Sequence, residues 1–275
     1  EEQGFRVTYL TVDENGQISL DELRDAVCED TILVSMMMVN NEIGAVEPIA
    51  EAAKIVKEKN PNTIIHVDAI QAYGKYRICP KKLGIDLLSV SGHKIHAPKG
   101  TGFLYIKDKT KIKPIIYGGG QQKGMRSGTE NVPGAAALGE AAVEIYENFD
   151  EKIAHMYALK KHFIEEMTKI EGVTINGKTG EDSAPQIVSV TIQGVRSEVM
   201  LHSLEEKEIY VSAGSACSSN KPAPSKTLQG IGLNKADLEG TIRFSFCVNT
   251  TEEEIDYAVE QLKEIIPFRR KFTRH

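Results

Sequence analysis

Four cysteines in 275 residues are too few to suggest a disulfide framework, and no two of them form a Cys-x-x-Cys pair. No histidine cluster accompanies them, so a zinc site has no ligand set and no metal is expected. Long apolar runs are missing too. Even the stretch from Ile32 to Val39 is short and carries Ser35, far below the length of a membrane span. A basic excess is absent as well: the formal charge is -6, which leaves no electrostatic footprint for nucleic acid. Internal repeats and low-complexity linkers do not interrupt the chain. What remains is 41% hydrophobic and 26% charged, enough for a sizeable core in one large or two modest domains.

Periodicity gives the organisation. Up to about Ala141, strand-like runs (5–12, 32–39, 64–67, 87–90, 103–106, 114–117) alternate with helical patterns such as 20–27 and 49–57, which predicts α/β layering. Residues 132–170 read as helical for most of their length. Beyond them, strand-like 187–192, helical 198–204, strand-like 209–211 and 242–248 and a final helix suit a smaller α+β domain. That last helix has a capping-box start, Thr251 with Glu254 three residues on, and Pro267 is expected to mark its end. The basic tail Arg269-Arg270-Lys271 with Arg274 reads as a solvated face. Cys28, Cys79 and Cys247 read as structural.

The chemistry concentrates in two segments. Asp68 ends the apolar run Thr63-Ile64-Ile65-His66-Val67, and Lys94 follows a second run through Ser91-Gly92-His93. Parallel strands of an open α/β sheet deliver side chains to a crevice at their carboxyl ends, where both groups would emerge. A lysine amine forms a Schiff base with the aldehyde of pyridoxal phosphate. An acid at a neighbouring strand end keeps the pyridine nitrogen protonated, so that the ring can act as an electron sink. Alone, a strand-end Asp is usually a turn residue and a lone Lys a surface charge; together they favour an enzyme. His66 faces the same side as Asp68 by strand alternation and reads equally as a site residue or a buried hydrogen-bonded one. Gly118-Gly119-Gly120 reads as a turn, since no Gly-Lys-Ser/Thr follows.

Ser212-Ala213-Gly214-Ser215-Ala216-Cys217-Ser218-Ser219 then presents one thiol among small residues. Without apolar neighbours Cys217 lacks the setting of a structural cysteine. Seen in isolation, it would be an incidental exposed thiol.

With these segments the chain resembles the cysteine desulfurases of the NifS/IscS kind, of the class V aminotransferase superfamily. The matching stretches are Val39-Asn40-Asn41-Glu42-Ile43-Gly44, His66-Val67-Asp68-Ala69-Ile70-Gln71, Ser91-Gly92-His93-Lys94-Ile95-His96-Ala97-Pro98-Lys99-Gly100, Gly124-Met125-Arg126-Ser127-Gly128-Thr129, Gly214-Ser215-Ala216-Cys217-Ser218-Ser219 and Ile242-Arg243-Phe244-Ser245. They follow the family's order over nearly the whole chain. The resemblance implies an α/β fold: a mostly parallel sheet flanked by helices, like the large domain of aspartate aminotransferase, with a smaller C-terminal α+β domain. It places the cofactor-binding domain at residues 1–149 and the small domain, bearing the cysteine loop and the carboxylate-binding arginine, at residues 150–275.

The resemblance also implies roles. Lys94 matches the Schiff-base lysine and the base that moves protons at the substrate α-carbon. Asp68 matches the pyridinium partner, Gln71 the amide on the ring hydroxyl, and Asn41 a second polar group near that oxygen that also touches substrate. Ser91 and His93 match phosphate ligands, and Thr129 a phosphate contact contributed across a homodimer interface. Arg243 matches the guanidinium that grips the substrate carboxylate, a task suited to its planar fork. Cys217 matches the thiol that takes the substrate sulfur as a persulfide while L-cysteine becomes L-alanine.

A sulfur-acceptor protein is the implied partner, in iron-sulfur cluster assembly or thiolation of cofactors or tRNA, and the implied setting is cytoplasmic. A class V transaminase or a selenocysteine lyase could use Lys94, Asp68 and Gln71 equally well, although transamination needs no thiol. From another class, a non-catalytic scaffold could keep the fold without the chemistry. The family's phosphate-binding threonine at a helix N-terminus and its ring-stacking histidine have no matching position here, which predicts an N-terminally incomplete large domain that binds pyridoxal phosphate poorly by itself.

Overall fold

The computed structural model describes residues 1–213 and 224–272. In chain order its first half contains α1 (Leu20–Ala26), β1 (Leu33–Met37), α2 (Ile49–Lys59), β2 (Ile64–Asp68), α3 (Pro80–Leu83), β3 (Leu87–Ser91), a 3-10 turn at Gly92–Ile95, β4 (Gly102–Ile106) and α4 (Val132–Tyr146). The second half contains α5 (Phe149–Met167), β5 (Val173–Asn176), β6 (Ile187–Ile192), α6 (Ser197–Glu205), α7 (Lys226–Gly230), α8 (Lys235–Glu239), β7 (Thr241–Ser245) and α9 (Glu252–Arg270). The chain resolves into two compact units. One comprises Val27–Met38 and Pro48–Phe149; the other comprises Glu1–Ala26, Val39–Glu47 and Asp150–His275.

The first unit is built on a four-stranded sheet in the order β1-β2-β3-β4. β1, β2 and β3 run parallel, and β4 closes the edge antiparallel to β3. The parallel strands follow from the apolar runs read in the sequence: Ile65, Val67, Leu88 and Val90 turn inward and are buried, while their neighbours occupy the other face. Helix α2 contributes its own buried stripe of Ile49, Ala52, Ala53 and Val56.

One carboxylate ties this unit together. Asp86, 3% exposed, accepts from Lys57 Nζ of α2 at 2.7 Å, from the Ile65 amide of β2 at 3.0 Å and from Lys107 Nζ just past β4 at 2.9 Å. Burial alone would raise its pKa, but these three donors together outweigh that and hold the carboxyl below its ordinary value. A depressed carboxyl pKa contributes stability at neutral pH that is lost as pH falls through the folded value. Asp86→Ala should therefore cost about 1–3 kcal/mol at pH 7, since a buried donor loses its acceptor. The deficit should shrink in acid; denaturant melts of parent and variant at pH 7 and pH 3 measure both.

The second unit carries the antiparallel sheet β5-β6-β7. Every residue of β6 is buried, and its core joins Phe163 and Met167 of α5, Met200 and Leu204 of α6, and Leu262 and Ile266 of α9. The Thr251 capping box is present: Thr251 accepts from the Glu254 amide, and Glu254 Oε2 accepts from the Thr251 amide at 2.9 Å.

Several expected boundaries differ. Helix α9 continues past Pro267 to Arg270. A proline removes only one amide, and the final turn is fastened by Arg269 Nε on Ser203 Oγ at 2.9 Å and Arg270 Nε on the Gln193 carbonyl at 2.8 Å. Those two arginines thus anchor the helix end instead of forming a solvated tail. Residues 5–12 and 114–117 are not strands: Phe5, Val7, Tyr9, Ile115 and Tyr117 are exposed, and apolar alternation without a neighbouring ladder makes no sheet. Residues 209–211 likewise lie outside any strand, and the pairing there is the single bridge Ser212↔Arg243. The long helical stretch is broken between α4 and α5, where Asn148 adopts φ 49°. Cys28 and Cys79 are exposed rather than buried structural cysteines, and Cys247 is intermediate. Among the described residues no helix is long and apolar enough to cross a membrane.

Candidate active site

Asp68 is the last residue of β2, in register with Met37 of β1 and Ser89 of β3. Its Oδ1 accepts from the Ile70 amide at 2.9 Å, which starts the tight turn that brings round Gln71. His66, two residues earlier on the same face, is hydrogen-bonded on both sides, to Ser35 Oγ and Ser89 Oγ, each at 2.8 Å. Burial lowers its pKa, with the Asp68 charge opposing, so near neutrality it is an uncharged bridge across three strands.

β3 ends at Ser91 and passes directly into the turn Gly92–Ile95. Gly92 lets the turn pack closely there: a Cβ would fall 2.6 Å from Thr101 Oγ1 and 2.9 Å from Leu138 Cδ1, so those side chains would have to shift. The turn is pinned by its main chain. Gly92 N donates to the Thr101 carbonyl at 2.9 Å, Ala97 N to the Gly92 carbonyl at 3.1 Å, and the buried Lys75 Nζ to the Lys94 carbonyl at 2.7 Å. It presents Ser91, His93 and Lys94 in succession, with Ser91 Oγ 2.7 Å from His93 Nδ1. Partial burial, then the charges of Lys94 and Lys99, lower the His93 pKa.

Asp68 and Lys94 therefore leave the carboxyl ends of two adjacent parallel strands, as the sequence predicts. Gln71, Ser91 and His93 belong to the same unit, as does Thr129, which is exposed in the segment before α4.

Asn41 and Arg243 belong to the other unit. Arg243 extends from β7, donating from Nη1 to the Asn41 carbonyl at 2.7 Å and from Nη2 to Ser212 Oγ at 3.1 Å. The Asn41 carbonyl is fixed by its loop. Asn40 Oδ1 accepts from the amides of Glu42 at 2.8 Å and Ile43 at 3.0 Å, and the buried Glu42 carboxylate accepts from Ser225 Oγ, the cap of α7, at 2.6 Å. Cys217 lies outside the described residues. Lys75 and Ser212 escaped the sequence reading, because their bonds join positions 19 and 31 residues apart with no local pattern to announce them.

Residues 1–258 match the family described as Aminotransferase class-V. The chain is 42% identical over 275 residues to the cysteine desulfurase IscS of Clostridium botulinum, covering 99% of itself and 69% of that protein. It superposes on a solved NifS-like protein with a TM-score of 0.90 at 38% identity, covering 97% of itself and 70% of that chain. A structure titled SspA in complex with cysteine matches at a TM-score of 0.73 and 31% identity, over 91% of this chain and 69% of that one. The chain belongs to the class-V aminotransferase family, with a NifS-like α/β fold of a mostly parallel sheet flanked by helices.

Class-V aminotransferases are pyridoxal phosphate enzymes, and the donor set suits that cofactor. One amine is held on a rigid turn, one carboxylate stands at the neighbouring strand end, and a hydroxyl and an imidazole precede the amine.

Proposed function

We propose that this protein is a cysteine desulfurase that converts L-cysteine to L-alanine and passes the sulfur to Cys217. The reading is carried by Lys94 and Asp68 at the carboxyl ends of adjacent parallel strands, in a chain 42% identical to a cysteine desulfurase. Lys94 would hold the cofactor aldehyde, Asp68 the ring nitrogen, Gln71 and Asn41 the ring hydroxyl, and Ser91, His93 and Thr129 the phosphate. Bound pyridoxal phosphate supplies an electron sink for the charge left when the substrate α-proton departs.

The chain's own groups do the rest. Arg243, joined by Asn41, grips the substrate carboxylate. The Lys94 amine takes the proton from the substrate α-carbon and later returns one. The Cys217 thiolate attacks the substrate sulfur: an S–S bond forms, the substrate Cβ–S bond breaks with its electron pair left on carbon, and protonation there yields alanine. A thiol has no part in transamination, which favours the desulfurase over that alternative. Selenocysteine lyase remains the second reading on the same observation, and relative turnover of the two amino acids separates them.

The proposed functional division, cofactor contacts from 1–149 and the carboxylate and thiol groups from 150–275, differs from the packing units in that residues 1–26 and 39–47 pack with the later part. A homodimer with Thr129 reaching the partner's phosphate site, a sulfur-acceptor protein and a cytoplasmic setting complete the proposal. With pyridoxal phosphate in excess, to offset the weak binding expected of this chain by itself, addition of L-cysteine should change the yellow cofactor band, with alanine formed as cysteine is consumed. A band indifferent to cysteine, with no alanine, would leave the scaffold reading instead.

A further inference from the structure

A guanidinium grips a carboxylate well only when both terminal nitrogens lie in one presented plane, and the long arginine stem does not fix that plane by itself. In β7 two acceptors supply the constraint. The Asn41 carbonyl takes Nη1 and Ser212 Oγ takes Nη2, so rotation about the last side-chain bonds is restrained from both ends. Both acceptors are uncharged, so they orient the guanidinium without neutralising it. Ser212 is further bound to the main chain of the residue it steers: its amide donates to the Arg243 carbonyl at 3.1 Å, and the Arg243 amide donates to the Ser212 carbonyl at 2.8 Å. The hydroxyl therefore moves with β7 and keeps its offset from the guanidinium.

We infer that Ser212 is a positioning residue that sets the Arg243 fork for the substrate carboxylate, an inference resting on the carboxylate-binding role proposed for Arg243. The backbone bridge does not use the Ser212 side chain, so alanine or threonine there removes or keeps the hydroxyl with both amide bonds still available. Ser212→Ala should raise KM for L-cysteine about 2- to 10-fold, the equivalent of one lost hydrogen bond, with kcat changed far less. Ser212→Thr keeps an acceptor hydroxyl and should restore KM toward the parent value. The dissociation constant of L-alanine, which carries the same carboxylate, should rise in parallel when followed by the absorbance of the bound cofactor.

The double variant Ser212→Ala/Arg243→Ala decides whether Ser212 acts through the arginine: it should show the KM of Arg243→Ala alone. An unchanged KM in Ser212→Ala, or an equal further rise on the Arg243→Ala background, would overturn the inference. A parental KM in Arg243→Ala would instead sink the role of Arg243 itself.

Discussion

A Lys94→Ala variant is expected to lose cysteine turnover by about 10^2- to 10^4-fold, the range a positioned proton-transferring side chain supplies. The larger end applies because the same amine is proposed to hold the cofactor aldehyde. Main-chain bonds that alanine retains help to close the turn that carries the residue. Gly92, Ala97 and Thr101 close it through main-chain bonds, and Lys75 grips the Lys94 carbonyl, which alanine retains. Borohydride reduction followed by peptide mass analysis should fix the cofactor mass on the peptide carrying Lys94 in the parent and on no peptide in the variant. If the variant keeps parental turnover, or the mass appears on another lysine, the assignment of position 94 fails.

Cys217→Ala is expected to reduce alanine formation and sulfide release under reducing conditions by at least about 10^2-fold, roughly 2.7 kcal/mol of barrier. The control lies in the other cysteines. Cys28 and Cys79 are exposed, and the Cys28 thiol is engaged with Asp30 and Thr31. Replacing either with alanine should leave both rates at the parental level, whereas accessibility alone as the criterion for sulfur acceptance would make both contribute. Parental sulfide release by Cys217→Ala would rule out its role as the acceptor.

The sequence made the parallel sheet legible because its strands are apolar runs bounded by turn residues, and strand alternation then put His66 on the same side as Asp68. Residues 5–12 show the same alternation and form no strand, since a strand exists only with a partner to bond, and no local pattern records the partner. Pro267 was misleading for a related reason. Its cost of one amide is local, whereas the contacts of Ile266, Arg269 and Arg270 that keep the helix going are not. The site divides likewise: Ser91, His93 and Lys94 are contiguous and could be read together, but the Ser212 hydroxyl acquires a purpose only through pairing with a strand 31 residues away.

The interleaving of the two packing units has a bearing on how the molecule is made. The segments that form the β1-β2-β3-β4 body, Val27–Met38 and Pro48–Phe149, all precede the sheet of the second body in the chain. In the other body Ile43 and Ala45 of the 39–47 segment pack not with α9 but in a small cluster with Leu228 of α7. Gln17 and Ile18 can bond Val46 and Glu47 as soon as both segments exist, but the loop holding Ile43 and Ala45 must wait for its apolar partner until α7 emerges from the exit tunnel.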